Sequence, residues 1–191
     1  MQRASHRYGH GQIRHIGAKL AATFASTGTP AFFVHPAEAE HGDLGMITPQ
    51  DCLLTLSYSG QSHEILTLLP IIQRLSIPVI SITGNPQSAI AQQSNIHLPL
   101  IIEREACPLG LAPTSSSTAT LALGDALAVA LIEARRFSSE DFARSHPGGR
   151  LGKRLLTTVK DLMRTKTAIP KSHPKTASKQ YYLKSQKKNS A

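Results

Sequence analysis

The sequence predicts an α/β fold in which a parallel sheet carries helices on both of its faces. Short, bounded apolar runs alternate along the chain with longer segments whose apolar residues recur at helical spacing, as Ile65, Leu69 and Ile72 do. Glycine, proline and asparagine lie between the two kinds of segment. Strands that alternate with helices in this way form βαβ units with right-handed crossovers, and such units build a parallel sheet between two helix layers.

The first part of the chain contains two of the predicted strands. A helix over 16–24, apolar on one face, ends before Gly28, and a short buried strand follows over 31–34. The polar segment 37–46 is expected to form a short helix that opens into a loop. A second strand over 53–56 is short and bounded, as a buried strand is.

The rest of the chain continues the alternation. The further elements that we expect are a helix over 65–72, a strand over 78–83, a short helix over 88–93, a strand over 95–100, a long helix over 114–133 and helices over 138–144 and 151–156. Pro99 indicates that the strand containing it lies at a sheet edge, because proline cannot donate to a hydrogen-bond ladder.

The long helix begins after the hydroxyl run Thr114 to Thr118, which caps it. It is apolar on most of its faces, so it belongs either to the centre of the core or to an interface between subunits. We favour the interface and expect a homo-oligomer, either a dimer or a tetramer.

A polar loop, Ser57-Tyr58-Ser59-Gly60-Gln61-Ser62, joins strand 53–56 to the helix that follows it. In parallel sheets ligands bind beyond the carboxyl ends of the strands. Hydroxyls and backbone N–H groups at the positive end of a helix dipole stabilise a phosphate there. Neither a Walker loop nor GxGxxG is present at this point, so we expect a small phosphorylated ligand rather than a nucleotide. Alternatively, these serines only cap the helix and bind no ligand.

Composition limits the function classes. A chain of 191 residues, 40% apolar and 17% charged, is expected to form one domain with an adequate core. The net charge of +9 comes mainly from 166–191, which hold seven lysines and no acid, so we expect a disordered tail and no nucleic-acid partner. With no signal core and no apolar run of about 20 residues, we expect a cytoplasmic protein without a membrane partner. Cys52 and Cys107 lack metal-ligand spacing, and we expect neither a metal nor a cofactor.

Four segments carry motifs more specific than the serine loop alone. They read Phe-Phe-Val-His-Pro-Ala-Glu-Ala over 32–39, His-Gly-Asp-Leu-Gly-Met over 41–46, Ser57 to Glu64, and Ser-His-Pro-Gly-Gly-Arg-Leu-Gly over 145–152. Together with Glu105 they resemble the sugar-isomerase (SIS) domain of D-arabinose-5-phosphate isomerases, over roughly residues 15–164. The resemblance implies a three-layer αβα sandwich of the flavodoxin-like kind.

The resemblance also implies an aldose–ketose isomerase that interconverts D-ribulose 5-phosphate and D-arabinose 5-phosphate for synthesis of the Kdo sugar of lipopolysaccharide. The reaction moves one proton through an enediol, opens the sugar ring and requires stabilisation of an oxyanion and a phosphate. By resemblance the catalytic residues are Glu105, His146, Glu64 and His41. We assign Glu105 as the enediol base and His146 as the ring-opening group, with Glu64 and His41 positioning hydroxyls. The residues expected to bind the substrate phosphate are Ser57, Ser59, Ser62, Thr114, Ser115 and Ser116.

Two segments depart from the family pattern. Family members have an apolar strand that leads into Gly-x-Gly-Lys-Ser-Gly-His-Ile-Gly, whereas this chain has Gln12, Ile13 and Arg14 in place of Lys-Ser-Gly. Loss of that strand is expected to leave edge groups of the sheet unpaired, at about 1 to 3 kcal/mol for each buried group. Loss of the lysine is expected to impair activity. At the other end, 159–165 resembles the start of a CBS pair that is cut short.

We therefore divide the chain into an altered N-terminal segment (1–14), an SIS domain (15–158), and a truncated CBS start with a Lys-rich tail (159–191). Two alternatives to an active enzyme stay open. One is a non-catalytic SIS module that binds a phosphosugar and needs the serine loop but neither Glu105 nor His146. The other is an inactive gene fragment.

Overall fold

The computed structural model describes residues 10–164, so the expectations for the first nine residues and for the Lys-rich tail lie outside the described residues. The elements in chain order are α1 (His10–Ser26), α2 (Pro36–Ala39), a 3-10 helix (Asp43–Met46), β1 (Leu53–Leu56), α3 (His63–Arg74), β2 (Val79–Thr83), α4 (Ala89–Gln92), β3 (Ile96–Pro99), α5 (Ser115–Arg135), α6 (Ser139–Ser145), α7 (Arg150–Leu156) and α8 (Val159–Leu162). Each predicted helix is present, most of them within two residues of the expected ends, but α1 begins six residues earlier than the predicted start at residue 16.

The described strands form one parallel sheet in the order β1-β2-β3. Leu53 pairs with Val79 in the first ladder, and Ile80 pairs with Ile96 in the second. The expectation from Pro99 is confirmed, because β3 lies at an edge of this sheet. All three strands point the same way, so the loops that follow them leave from one end of the sheet.

Each face of the sheet packs against its own helices. On one face, Leu56 and Ile82 pack with Ile16 and Leu20 of α1 and with Ala128 of α5. On the other face, the core contains Val79 of β2, Leu69 and Ile72 of α3, and Ile90 of α4. The three-layer αβα sandwich expected from the sequence is therefore confirmed.

Helix α5 is apolar enough and long enough, by composition and length alone, to cross a membrane. A single helix of this kind is weak evidence for a membrane span, because core helices have the same composition. Here α5 packs against α1, where Ala128 contributes to a shared core and Asp125 forms an ion pair with Lys19.

The predicted strand over 31–34 is absent, although the segment between Gly28 and Pro36 contains no helix and leads into α2. A strand needs a hydrogen-bonded neighbour, and among the described residues this segment pairs with none of β1, β2 and β3. Its side chains are nevertheless packed, since Ala31 contacts the core under α1 and Phe33 lies against Gly17. The prediction of a buried strand is therefore wrong on pairing and only partly met on burial, because Phe32 is 49% exposed and the other three residues are half-buried.

Candidate functional site

The loop that follows β1 is held by backbone hydrogen bonds at both of its ends. The N–H of Ser57 donates to the carbonyl of Ile82 at 3.1 Å, which extends the β1–β2 ladder into the loop. Gly60, with a φ of 66°, donates its N–H to the Ser57 carbonyl at 3.0 Å and accepts from the N–H of Ile90 at 3.1 Å. The left-handed conformation at Gly60 closes a tight turn that a residue with a side chain would strain.

Two of the three serines predicted to bind phosphate are brought together in this loop. The hydroxyl oxygens of Ser57 and Ser62 lie 2.8 Å apart, while the hydroxyl of the exposed Ser59 accepts from the Gln61 N–H at 3.3 Å. Ser62 is the N-cap residue of α3, but its side chain makes no capping hydrogen bond. The first-turn N–H groups of α3 are therefore not covered by the Ser62 hydroxyl, which leaves the positive end of this helix open to an anion.

A hydrogen-bonded cluster that the sequence did not reveal lies under the serine loop. Thr83 and Ser88 are fully buried, and a β-carbon at Gly60 would lie 2.0 Å from the Ser88 hydroxyl, so the loop rests directly on Ser88. The Thr83 hydroxyl donates to the Asn85 carbonyl at 2.9 Å and lies 2.9 Å from Nε2 of His97. Because that hydroxyl has one proton, His97 must donate from Nε2. A lone histidine in a strand gives no sequence signal for this role.

Glu105, the predicted enediol base, is hydrogen-bonded to the N-terminus of α5. Its carboxylate accepts from the Thr114 N–H at 2.7 Å, the Thr114 hydroxyl at 3.0 Å, the Ser116 N–H at 3.3 Å and the Ser116 hydroxyl. These donors, the Ser116 hydroxyl above all, lower the pKa of Glu105 to about 2. The Thr114 side chain, which we expected to cap α5, makes no capping hydrogen bond, and Glu105 caps the helix instead. Two of the predicted phosphate-binding residues thus bind the predicted base.

An open cleft of about 610 Å³ lies beside this cap. Glu105 and Ser115 line it together with Arg104, Cys107 and Gly110. The backbone N–H groups of the same loop, first those of Ala112 and Leu111, lower the pKa of the Cys107 thiol.

His146, the predicted ring-opening group, ends α6 with one ring nitrogen already engaged. Its Nδ1 donates to the Phe142 carbonyl at 3.0 Å, and its ring stacks on the Phe142 ring with centroids 4.0 Å apart. Since a carbonyl can only accept, the neutral imidazole has its proton on Nδ1 and leaves Nε2 as a proton acceptor. Helix α7 packs tightly behind it, because a β-carbon at Gly152 would lie 2.1 Å from the His146 carbonyl oxygen.

The other two predicted catalytic residues lie on either side of β1 and the serine loop in the chain. Glu64 is half-buried in the first turn of α3, and His41 is exposed between α2 and the 3-10 helix. The serine loop, the Glu105 cap and His146 are separate groups in the hydrogen-bond network of residues 10–164. Within the same residues no three His, Cys, Asp or Glu side chains are placed to hold a metal ion. That the protein needs no cofactor stays a prediction.

The fold defines the class of the protein as a parallel αβα sandwich, and α/β proteins of this class bind their ligands at the carboxyl edge of the sheet, where α3 begins here. Comparison with protein families gives the family within this class. The model of the SIS domain matches residues 7–130, and the chain belongs to the SIS domain family.

Relatives of the chain include proteins named arabinose 5-phosphate isomerase KdsD. The one from Escherichia coli (strain K12) is 61% identical over 162 residues, which are 85% of this chain and 49% of the relative. The one from Pseudomonas aeruginosa is 60% identical over 162 residues, 85% of this chain and 50% of the relative. The chain therefore spans about half the length of the curated relatives that it matches.

A solved structure, c3406 of E. coli CFT073 in complex with arabinose 5-phosphate, has the same fold. It superposes with a TM-score of 0.69 at 46% identity, and the match covers 72% of this chain and 73% of that one.

We predict that His97 supports the serine loop through Thr83 and Ser88. Replacing His97 with Leu removes the 2.9 Å hydrogen bond and leaves the buried Thr83 hydroxyl only the longer one, at 3.3 Å, from the Asn85 N–H. The free energy of unfolding is therefore expected to fall by about 0.5 to 1.5 kcal/mol. Amide exchange at Gly60 is expected to accelerate as well. His97→Gln keeps an N–H near the Nε2 position and is expected to restore slow exchange. Equal exchange rates at Gly60 in all three proteins would show that the loop does not depend on His97.

We also predict a pH signature for the Glu105 cap. The folded pKa of about 2 lies below the ordinary value of 4.5, so this carboxylate stabilises the fold above pH 4.5 and stops doing so as the pH falls toward 2. Glu105→Gln is therefore expected to melt at a lower temperature than the unmodified chain at pH 7, with a difference that shrinks below pH 4.5. Glu103→Gln, at an exposed neighbouring position, is the control and is expected to melt like the parent. A difference for Glu105→Gln that is constant with pH would contradict the assignment.

Proposed function

We propose that this chain is the SIS domain of an aldose–ketose isomerase that interconverts D-arabinose 5-phosphate and D-ribulose 5-phosphate. The observation that carries the proposal is the serine loop, where the Ser57 and Ser62 hydroxyls meet beside the uncapped N-terminus of α3. The names of the relatives at 60 and 61% identity support this substrate, as does the 46% identical structure described as a complex with arabinose 5-phosphate. Synthesis of the Kdo sugar would be the role of the product.

In this proposal the serine loop binds the 5-phosphate. The hydroxyls of Ser57, Ser59 and Ser62 donate to phosphate oxygens, and the N–H groups in the first turn of α3 add the positive end of the helix dipole. Ser57 is buried and fixed by the sheet, so it needs little reordering when the phosphate arrives. Glu64 and His41 would then contact sugar hydroxyls rather than the phosphate.

The neutral imidazole of His146 is held in the tautomer that suits ring opening. Its Nδ1–H is held by the Phe142 carbonyl, which leaves Nε2 to accept a proton from the anomeric hydroxyl and return it to the ring oxygen. Stacking on Phe142 fixes the plane of the imidazole. Both contacts that orient the His146 ring come from Phe142 of α6.

Glu105 can act as the enediol base only after it leaves part of its present hydrogen bonding. A carboxylate with a pKa of about 2 is a poor proton acceptor at neutral pH. We infer that substrate oxygens displace it from the donors on Thr114 and Ser116, which raises its pKa as the hydrogen bonds are lost. The same exchange would bring Thr114, Ser115 and Ser116 into contact with substrate.

The second candidate is a phosphosugar-binding SIS module without catalysis. Two features of the chain would suit it, although the names of the relatives support the isomerase. Glu105 is fully engaged as a helix cap, and α1 has Gln12, Ile13 and Arg14 where the family has Lys-Ser-Gly. An inactive fragment, the third possibility, would bind no phosphosugar at all.

We also propose that two copies associate through α5. The exposed positions in the middle of this helix are apolar, namely Ala122, Ala126, Val129 and Ala130, and Val129 is 57% exposed in the single chain. An apolar strip of this kind favours burial against a second copy.

We further propose a cytoplasmic location, since sugar phosphates of this class are made there.

The enzyme proposal predicts that the chain converts D-ribulose 5-phosphate and that His146→Asn removes this activity. Asparagine keeps an N–H close to the Nδ1 position but has no group at Nε2, so kcat is expected to fall by about 100- to 10,000-fold with little change in melting temperature. The measurement is product formation by the purified chain beside calorimetric binding of arabinose 5-phosphate. His63→Asn, at the exposed start of α3, is the matched control and is expected to stay active.

The same two measurements separate the candidates. Binding that is lost in a Ser57→Ala/Ser62→Ala double variant, without turnover in any variant, would favour the non-catalytic module. If the unmodified chain shows neither binding nor turnover, and turnover appears only in a Gln12→Lys/Ile13→Ser/Arg14→Gly variant, the inactive fragment is favoured.

The dimer proposal predicts that Val129→Glu makes the chain monomeric. A charge placed in an apolar interface loses its hydration without gaining a partner, so the dimer constant is expected to weaken by at least about 10-fold. Sedimentation equilibrium measures this directly, and Val159→Glu on α8, at a position that is 80% exposed, serves as the charge-matched surface control. A parent chain that sediments as a monomer at all concentrations would refute the proposal.

A further inference from the structure

Arg104 is a cation beside the candidate catalytic residues whose presence the fold does not explain. It lines the cleft of about 610 Å³ at the start of α5, as Glu105 does. Its side chain is exposed, and it takes part in none of the ion pairs described within residues 10–164. The charge of Arg104 is therefore available to a ligand that enters the cleft.

The charge of the cleft depends on this one arginine. Among the other residues of 10–164 that line the cleft none is basic, and Glu105 is the one carboxylate. An arginine stays protonated at every pH at which proteins fold, so it carries its charge without a partner. The described part of the cleft thus combines one permanent positive charge with one proton acceptor.

Arg104 lies where it can contact the atoms on which Glu105 would act. The two residues are adjacent in the chain, so their α-carbons are about 3.8 Å apart. Glu105 is held by donors on Thr114 and Ser116, whereas Arg104 has a long side chain with no such hydrogen bond among the described residues. A sugar whose C1 and C2 lie against Glu105 therefore has its O1 and O2 within the range of the Arg104 guanidinium.

We propose that Arg104 is a further catalytic residue, which stabilises the oxyanion of the enediolate that forms when Glu105 removes a proton. This inference rests on the isomerase function proposed above. From the aldose, the C2–H bond breaks, its electron pair forms the C1–C2 double bond, and an electron pair of the carbonyl moves onto O1. The O2 hydroxyl proton then moves to O1, and Glu105 returns its proton to C1, which completes the ketose.

The charges favour the intermediate over the bound sugar. Before the reaction the negative charge lies on Glu105, which is bound by α5 and forms no ion pair with Arg104. After proton transfer Glu105 is neutral and the negative charge lies on the enediolate. A guanidinium can donate two parallel N–H groups, which match two neighbouring oxygens. Because this contact strengthens as charge develops on oxygen, it is expected to raise kcat rather than only lower KM.

The kinetic test compares Arg104→Gln and Arg104→Lys with the parent chain in the conversion of D-ribulose 5-phosphate. Loss of one oxyanion donor costs about 100- to 1,000-fold in kcat, which is the result expected for Arg104→Gln with little change in KM. Arg104→Lys keeps the charge but not the paired donors, so its kcat is expected to lie between the two. Melting temperatures are expected to match the parent, because Arg104 is exposed.

Arg74→Gln is the matched control for these variants. Arg74 is also exposed, in the last turn of α3, at the opposite end of that helix from the serine loop. It loses the same charge and is expected to leave kcat and KM unchanged.

A binding test needs no turnover. A four-carbon hydroxamic acid with a phosphate at its far end carries two neighbouring oxygens and so resembles the enediolate, whereas arabinose 5-phosphate resembles the ground state. By calorimetry, Arg104→Gln is expected to weaken binding of the hydroxamate by at least about 10-fold, and that of arabinose 5-phosphate much less.

The outcomes separate this inference from the proposed function. An active parent with an equal kcat in Arg104→Gln would overturn the role of Arg104 alone, and so would a raised KM with unchanged kcat, the sign of uniform binding. A parent chain without turnover would count against the proposed function, and the hydroxamate then tests Arg104 by itself. Equal hydroxamate affinity in the parent and in Arg104→Gln would refute the contact.

Discussion

The hydrogen bond from the Ser57 N–H to the Ile82 carbonyl is the contact on which the arrangement of the site depends. At 3.1 Å it continues the β1–β2 ladder past the end of β1, and the Gly84 N–H donates to the Tyr58 carbonyl one step further on, at 2.8 Å. Strand β2 can fix that rung because it is hydrogen-bonded on both sides, and its residues Val79, Ser81 and Thr83 are fully buried. The position of the Ser57 hydroxyl is thus set by the rigid centre of the sheet rather than by the loop.

The sequence pattern predicted the parts of the fold that depend on local periodicity. Bounded apolar runs marked β1, β2 and β3, and Pro99 marked the edge, since these features act within a few residues. The segment around Phe33 has an equally apolar pattern, but pairing depends on a neighbour, and no local signal reveals its absence. The same holds for Glu105, which caps α5 from nine residues before Thr114. His97 is a further case, because it lies on β3 and hydrogen-bonds to Thr83 on β2.

Glu105 illustrates how one group of donors can serve two purposes. In the structure, Thr114 and Ser116 bind a carboxylate and so stabilise the start of a long helix. The same donors are suited to the phosphate or hydroxyl oxygens of a sugar phosphate. A helix cap of this kind can become part of a binding site when the ligand replaces the internal carboxylate. The hydrogen bonds that Glu105 then loses reduce the net affinity for the ligand. The same exchange makes the Glu105 carboxylate a weak base before the ligand binds and a stronger base afterwards.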